Sequence, residues 1–281
     1  MRQVKSKRIM AHIFLIALCF VMVYPVFWWF GAAFKPVSEL TSSNIIPLQP
    51  TLDNFIYGWT AITNYPFTVF YANTAFLIIS VLVTSIISCS LVAFGFARLE
   101  FPLKKFWFAI VLTTLMLPNQ VTIVPQYVMF DFFGWIDSYL PFIVPHALAG
   151  GIGGSFFVFL LVQFIRGIPK ELDEAAKMDG CSTFEIYYRI IVPLLGPALV
   201  TVSIFCFLWN WDDFFGHMIY IKSIDNYTVG LALKLFVDSQ SATPWGQLFA
   251  MALLSVVPGT LVFFFTQRYI VDGVATTGLK G

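Results

Sequence analysis

The stretch Val69-Phe-Tyr-Ala-Asn-Thr-Ala-Phe-Leu-Ile-Ile-Ser-Val-Leu-Val-Thr-Ser-Ile-Ile-Ser-Cys-Ser-Leu-Val-Ala-Phe-Gly-Phe-Ala97 contains no Asp, Glu, Lys or Arg. A helix crosses the hydrocarbon of a bilayer with about 20 apolar residues, and this run is longer than that. Turn-like text, Asn64-Tyr-Pro66, precedes it and Arg98 closes it, which predicts one span here rather than two.

The same test finds five more runs. The six predicted spans cover about 9–34, 69–97, 106–130, 141–165, 193–215 and 247–268. The chain is 59% hydrophobic and 11% charged, whereas a soluble domain carries about 25% charged residues. One water-soluble core cannot absorb that apolar excess. The predicted fold is an all-α integral membrane protein, a single transmembrane domain over 1–281 with six helices. The first run follows Arg2, Lys5, Lys7 and Arg8, like a signal peptide, but it is longer than the about 7–15 apolar residues of one. An uncleaved first helix is expected.

Basic residues set the orientation. With the N-terminus inside, the cytoplasmic side holds Arg2, Lys5, Lys7, Arg8, Arg98, Lys104, Lys105, Arg166, Lys170, Lys177, Arg189, Arg268 and Lys280. The outer side holds Lys35, Lys222 and Lys234. Both termini are expected in the cytoplasm of a bacterial or archaeal plasma membrane. Pro118 and Pro125, Pro141 and Pro145, and Pro258 fall in the third, fourth and sixth runs, where they read as kinks or as bends around a path. Gly150 and Gly154 form a GxxxG pair, read as a close helix contact.

The four cysteines have no metal spacing and read as small apolar fillers. The three histidines form no cluster, so no metal site is expected. No nucleophile motif, P-loop or dinucleotide fingerprint occurs. The chain is therefore not expected to be an enzyme or to hold a cofactor, and any ATP driving it would bind another chain. A net charge of +1 gives no footprint for nucleic acid.

One loop, 166–192, is written for water. Pro169 suits a helix start, and Glu171, Asp173 and Glu174 complement the dipole of its first turns. Gly180 suits the left-handed residue that ends the helix. Ser182-Thr-Phe-Glu185 is a capping box for a second helix, expected to stop by Pro193. Leu172, Ala175 and Ala176 share one face of the first helix, small enough to lie in a partner's groove.

Glu174-Ala-Ala-Lys-Met-Asp-Gly180, followed by Ile190, Pro193 and Pro197, resembles the EAA loop of ABC importer permeases. The resemblance extends to Asn73-Thr, Met116-Leu-Pro118, Trp209-Asn-Trp-Asp212 and the tail Gly278-Leu-Lys-Gly281. It is similar to the maltose-type carbohydrate importers that use two different permease chains, and to the second of those chains. Val192 departs conservatively from the usual Leu. The resemblance implies that the loop is the ATPase-coupling element, with Glu174, Ala175, Ala176, Asp179 and Gly180 at the contact. It implies a second permease chain, two ATPase subunits carrying ATP and Mg, and an extracellular solute-binding protein. The implied cargo is a sugar or oligosaccharide, or else a polyol or glycerol phosphate moved by the same machinery.

Candidate pathway residues are Asn73, Asn119 and Gln120 inside the second and third runs, and Trp209, Asn210 and Asp212 beside an aromatic cluster. Polar groups inside spans are functional candidates, and aromatic faces with adjacent amides suit sugar rings. A self-contained secondary transporter is the rival reading, but no span carries a charge at its centre. A membrane scaffold leaves the loop unexplained.

Overall fold

The computed structural model describes residues 2–237 and 243–278. The described residues are all-helical or irregular, and none is in a strand. The elements are α1 (Arg2–Ala33), α2 (Asp53–Trp59), α3 (Phe67–Arg98), α4 (Lys104–Thr114), α5 (Asn119–Phe132), α6 (Leu140–Ala147) and α7 (Gly154–Arg166). Then come α8 (Glu171–Met178), α9 (Thr183–Ile186), α10 (Val192–Leu194), α11 (Gly196–Trp211), α12 (Phe214–Tyr220), α13 (Val229–Val237) and α14 (Trp245–Gly278).

Among the described residues, Met10–Ala33, Phe67–Arg98 and Trp245–Gln267 are helices long and apolar enough to cross a bilayer. A fourth span results if Thr183–Leu194 and Gly196–Trp211, bent by 76°, are taken together. Side chains such as Phe14, Ile16, Phe20 and Met22 on α1 are exposed, a surface suited to lipid rather than water. Where the sequence predicts continuous third and fourth spans, the chain instead makes pairs of short helices. α4 ends at Thr114, and extended Pro118 (φ −69°, ψ 133°) precedes α5. Proline removes a donor and disfavours helix in the residue before it, and here the result is a full break rather than a kink.

The fourth run breaks at its glycines. Ala149, Gly151 and Gly153 have φ of 57°, 69° and 80°. Gly150 donates its N–H to the Pro145 carbonyl at 2.8 Å. The expected GxxxG helix face is therefore a break: Gly150 lies outside any helix and Gly154 opens α7. At Gly153 a Cβ would overlap the Trp209 ring, so only glycine allows that backbone to approach the indole. The helix expected to stop by Pro193 continues to Leu194. A π-helical turn at Tyr187–Ile191 precedes α10, whose first turn accommodates the proline. α14 runs on past its apolar part to Gly278.

The described contacts group into two compact units, Met1–Val69 with Ala232–Pro258, and Phe70–Leu231 with Gly259–Gly281. In the first, Asn54 donates both amide hydrogens, to the Ala33 and Lys35 carbonyls at 2.9 and 2.8 Å, closing the end of α1. Gly246, near the start of α14, packs on that amide. In the second, Cys89, Ala93, Phe157, Leu161, Ile165, Ile191, Leu195 and Val202 form a tight core. Between apolar helices in lipid, such close van der Waals packing supplies the adhesion.

Candidate functional site

The 166–192 loop folds as its local signals require. Glu171, Asp173 and Glu174 occupy the first turn of α8. Its end is a Schellman motif: Gly180 (φ +84°) donates to the Lys177 carbonyl at 3.0 Å, and Cys181 to the Ala176 carbonyl at 2.9 Å. The capping box is formed, with the Ser182 hydroxyl accepting from Glu185 N–H at 3.3 Å and Glu185 Oε2 accepting from Ser182 N–H at 2.9 Å. Hydrogen bonds from the Ser182 backbone and side chain hold the Glu185 carboxyl below its ordinary value. That contribution is present above the ordinary glutamate pKa and is lost as pH falls through the lowered one. Ser182→Ala is expected to cost about 0.5–2 kcal/mol of local stability. Hydrogen exchange at residues 183–186 should speed up accordingly, and unchanged exchange would mean that packing alone orders this turn.

The loop is fastened to one face of α3. Arg98 Nε lies 2.7 Å from Asp173 Oδ2, with the side chains only 5% and 12% exposed. The Nε–H is not aligned as a hydrogen bond, so charge holds the pair. Arg98 Nη2 donates to the Ile168 carbonyl at 2.8 Å. Four residues earlier Phe94 packs against Tyr187, ring centroids 5.4 Å apart. Four earlier again, the Ser90 and Tyr187 hydroxyls share a 2.7 Å hydrogen bond. Asp173 reads from sequence only as a dipole complement, and Arg98 only as an orientation charge. The four-residue spacing Ser90, Phe94, Arg98 was the available signal.

The predicted coupling residues divide. Glu174, Ala175, Asp179 and Gly180 are exposed, whereas Ala176 turns inward and is buried against the core. The small apolar face expected of α8 is thus split, with Leu172 outward beside Ala175. Sequence reading missed Met178 and Phe184, which are 89% and 63% exposed. Phe184 packs on Tyr188, ring centroids 5.6 Å apart, so the loop carries exposed apolar side chains at all three positions.

The predicted pathway residues do not form one cluster. Asn73 spends its amide hydrogens on the Asp225 and Tyr227 carbonyls at 2.7 and 3.0 Å, positioning the loop before α13. Asn210 is buried, and its amide donates to the Cys206 carbonyl one turn back at 2.8 Å. Trp209 stacks on Phe157, centroids 5.5 Å apart, while Asp212 is exposed at the end of α11. The Asn119 side chain lies outside the described part of the structure.

Gln120 lines a cavity of about 210 Å³ with Gln126, His146, Asp213 and Tyr220, walled by Phe130 and Phe142. A clasp beside it fixes the neighbouring connections: Asp137 accepts from the Lys222 and Ser223 N–H groups at 2.9 and 2.8 Å and from the Ser223 hydroxyl. Burial opposes ionisation of Asp137, but the hydrogen bonds from Ser223 and Lys222 outweigh it and hold the carboxyl below its ordinary value.

A family model described as the binding-protein-dependent transport system inner membrane component matches residues 89–276, which include both the loop and the cavity. The arabinooligosaccharides transport system permease protein AraQ of Halalkalibacterium halodurans is 30% identical over 272 residues, 94% of this chain and 93% of that one. The diacetylchitobiose uptake system permease protein DasC of Streptomyces coelicolor is 26% identical over 274 residues, 98% of each chain. The trehalose/maltose transport system permease protein MalG of Thermococcus litoralis is 27% identical over 282 residues, 100% of each. A solved bacterial ABC transporter involved in import of the acidic polysaccharide alginate superposes with a TM-score of 0.84 at 19% identity, covering 96% of this chain and 98% of that chain, so the fold is that of an ABC transporter permease. The match over most of the chain, on an all-helical apolar fold, places this multi-pass membrane protein in the binding-protein-dependent transport system inner membrane component family.

Proposed function

We propose that this chain is the second of two permease subunits in an ABC importer for a sugar or oligosaccharide, with the 166–192 loop as its ATPase-coupling element. The observation that carries the coupling role is the loop itself: a capped two-helix unit, fastened to α3, with exposed apolar side chains at Met178, Phe184 and Tyr188. Such side chains ask for a protein partner. Glu174 and Asp179 supply charge around it, Ala175 allows close approach, Gly180 makes the turn, and Ala176 anchors the helix inward. ATP and Mg belong to two partner ATPase subunits, and a solute-binding protein delivers cargo from outside. The names of the relatives support the carbohydrate class.

In this reading α4 with α5, and α6 with α7, are two broken spans, which restores six crossings of a single permease domain. Both termini then lie in the cytoplasm, in keeping with the basic residues. Gln120, Trp209 and Asp212 remain the pathway candidates with a side chain not wholly committed to the fold, while Asn73 and Asn210 would act by positioning, and Asn119 adds a polar residue beside the Pro118 break.

Purification of the tagged chain from membranes should bring down a second permease and an ATPase. Reporter fusions at Lys104 and Lys177 should read cytoplasmic, and one at Asp53 external. A chain that purifies alone and transports alone is a secondary transporter, and an inside signal at Asp53 breaks the six-span arrangement.

A further inference from the structure

Two of the interruptions in the expected spans, and a third at the end of α11, reach the same cavity. Gln120 sits in the first turn of α5, just past the Pro118 break. Gly151 lies in the break between α6 and α7, and Asp213 in the break between α11 and α12. Irregular backbone at membrane depth persists where it is buried in protein or lines a wet cavity. Half-helix ends gathered at one point are a recurring way to build a polar binding site inside a membrane protein.

The lining has the two surfaces that a sugar ring has. Phe130 and Phe142 make the wall apolar, and both are nearly fully buried, Phe130 stacked on Trp135 and Phe142 edge-on to Tyr220 and His217. The polar groups are already oriented by the fold. Tyr220 donates its hydroxyl to Gln126 Oε1 at 3.4 Å, leaving the Gln126 amide hydrogens as donors. Asp213 caps α12 by accepting from Gly216 N–H at 2.9 Å, and its carboxylate packs so closely on Gly216 that a Cβ there would overlap it. His146 is 2% exposed, and its Nδ1 meets the Phe142 carbonyl at 2.6 Å. A carbonyl only accepts, so Nδ1 carries the proton; the ring also packs against the backbone of Gly151 and Ile152, which fixes its place in the wall. Amide donors and a carboxylate beside aromatic walls match hydroxyl groups on the rim of a ring whose C–H faces are apolar.

We propose that this cavity is a saccharide subsite in this chain, taking one sugar ring through Gln120, Gln126 and Asp213, with His146 fixed in its wall. Its volume of about 210 Å³ is below the about 300–1,000 Å³ of pockets for drug-sized ligands, which suits a single ring of a longer chain. The proposal rests on the carbohydrate reading above and adds a site to it.

The test uses the whole importer in membranes, with maltose, trehalose, galactobiose, arabinobiose and diacetylchitobiose as probes. Uptake by the unaltered complex is measured first and identifies which probes are carried. Gln126→Cys is then labelled with a small water-soluble maleimide and modification at that position is read by mass spectrometry. Gln120→Cys is the second variant should the first assemble poorly. Labelling should proceed, and a carried saccharide should slow it at least several-fold, while sorbitol leaves the rate unchanged. Because a solute-binding protein captures the cargo first, Gln126→Ala should lower the maximal rate of uptake about tenfold or more in complex that is assembled to the same level. If a probe is carried but protects neither cysteine, the subsite is wrong and the importer reading stands. If no probe is carried, the carbohydrate reading falls and takes the subsite with it.

Discussion

Asp173→Leu is expected to release the 166–192 loop from the membrane helices and to abolish uptake. Arg98 and Asp173 are 5% and 12% exposed, so removing one partner leaves the other charge buried without compensation. That costs about 3–5 kcal/mol. The exposed pairs on the same side, Lys104 with Glu100 and Arg189 with Glu185, are screened by water and contribute little. Arg98→Leu should match Asp173→Leu. The double variant Arg98→Leu/Asp173→Leu removes both charges and should recover much of the loss, since a buried pair is often replaceable by apolar side chains. Limited proteolysis within 166–192 and saccharide uptake are the readouts. Single variants that resist protease and transport like the parent would show that Tyr187 and its partners hold the loop without the ion pair.

Gly180→Val is expected to leave the chain in the membrane and to cut both ATPase recovery and transport. Its φ of +84° lies in the left-handed region, yet nothing stands within 4 Å of where a Cβ would be. The penalty therefore comes from backbone strain, about 1–3 kcal/mol, and from opening the Schellman turn that sets α8 against α9. Gly180→Asn, which tolerates the left-handed conformation, should be far milder. Glu174→Lys acts differently, reversing an exposed charge in the first turn of α8 without straining the fold, and should also lower ATPase recovered per permease. If Gly180→Val and Glu174→Lys both assemble and transport normally, the loop is not the coupling element.

Those two experiments separate what local sequence encodes from what it does not. Gly180, the Ser182–Glu185 box and the long helices α1, α3 and α14 were legible because turn chemistry and an uninterrupted apolar run are read within one window. The breaks at Pro118 and at Ala149–Gly153 were visible as residues but not as breaks. In a membrane run the same prolines and glycines are compatible with a kinked or closely packed helix, and only the surroundings decide. For Gly153 the deciding neighbour is Trp209, more than fifty residues away in sequence. The Arg98–Asp173 pair was hidden for a similar reason, since each residue has an adequate local explanation and their meeting depends on how α3 and α8 fold together. Asn73 and Asn210 drew attention as polar groups in apolar text, and the structure satisfies them with backbone carbonyls, a demand that any buried amide makes.

Ser90, Phe94 and Arg98 recur every fourth residue, whereas a helix turns once in about 3.6. The row therefore climbs about 12 Å along α3 while winding some 80° around it. A grip at a single point would let the loop swivel, and a straight row would let it roll like a hinge. A winding row permits neither. A push on α8 would reach α3 at two places, through Asp173 to Arg98 and through Tyr187 to Phe94 and Ser90, and so would turn α3 about its axis as well as draw on it.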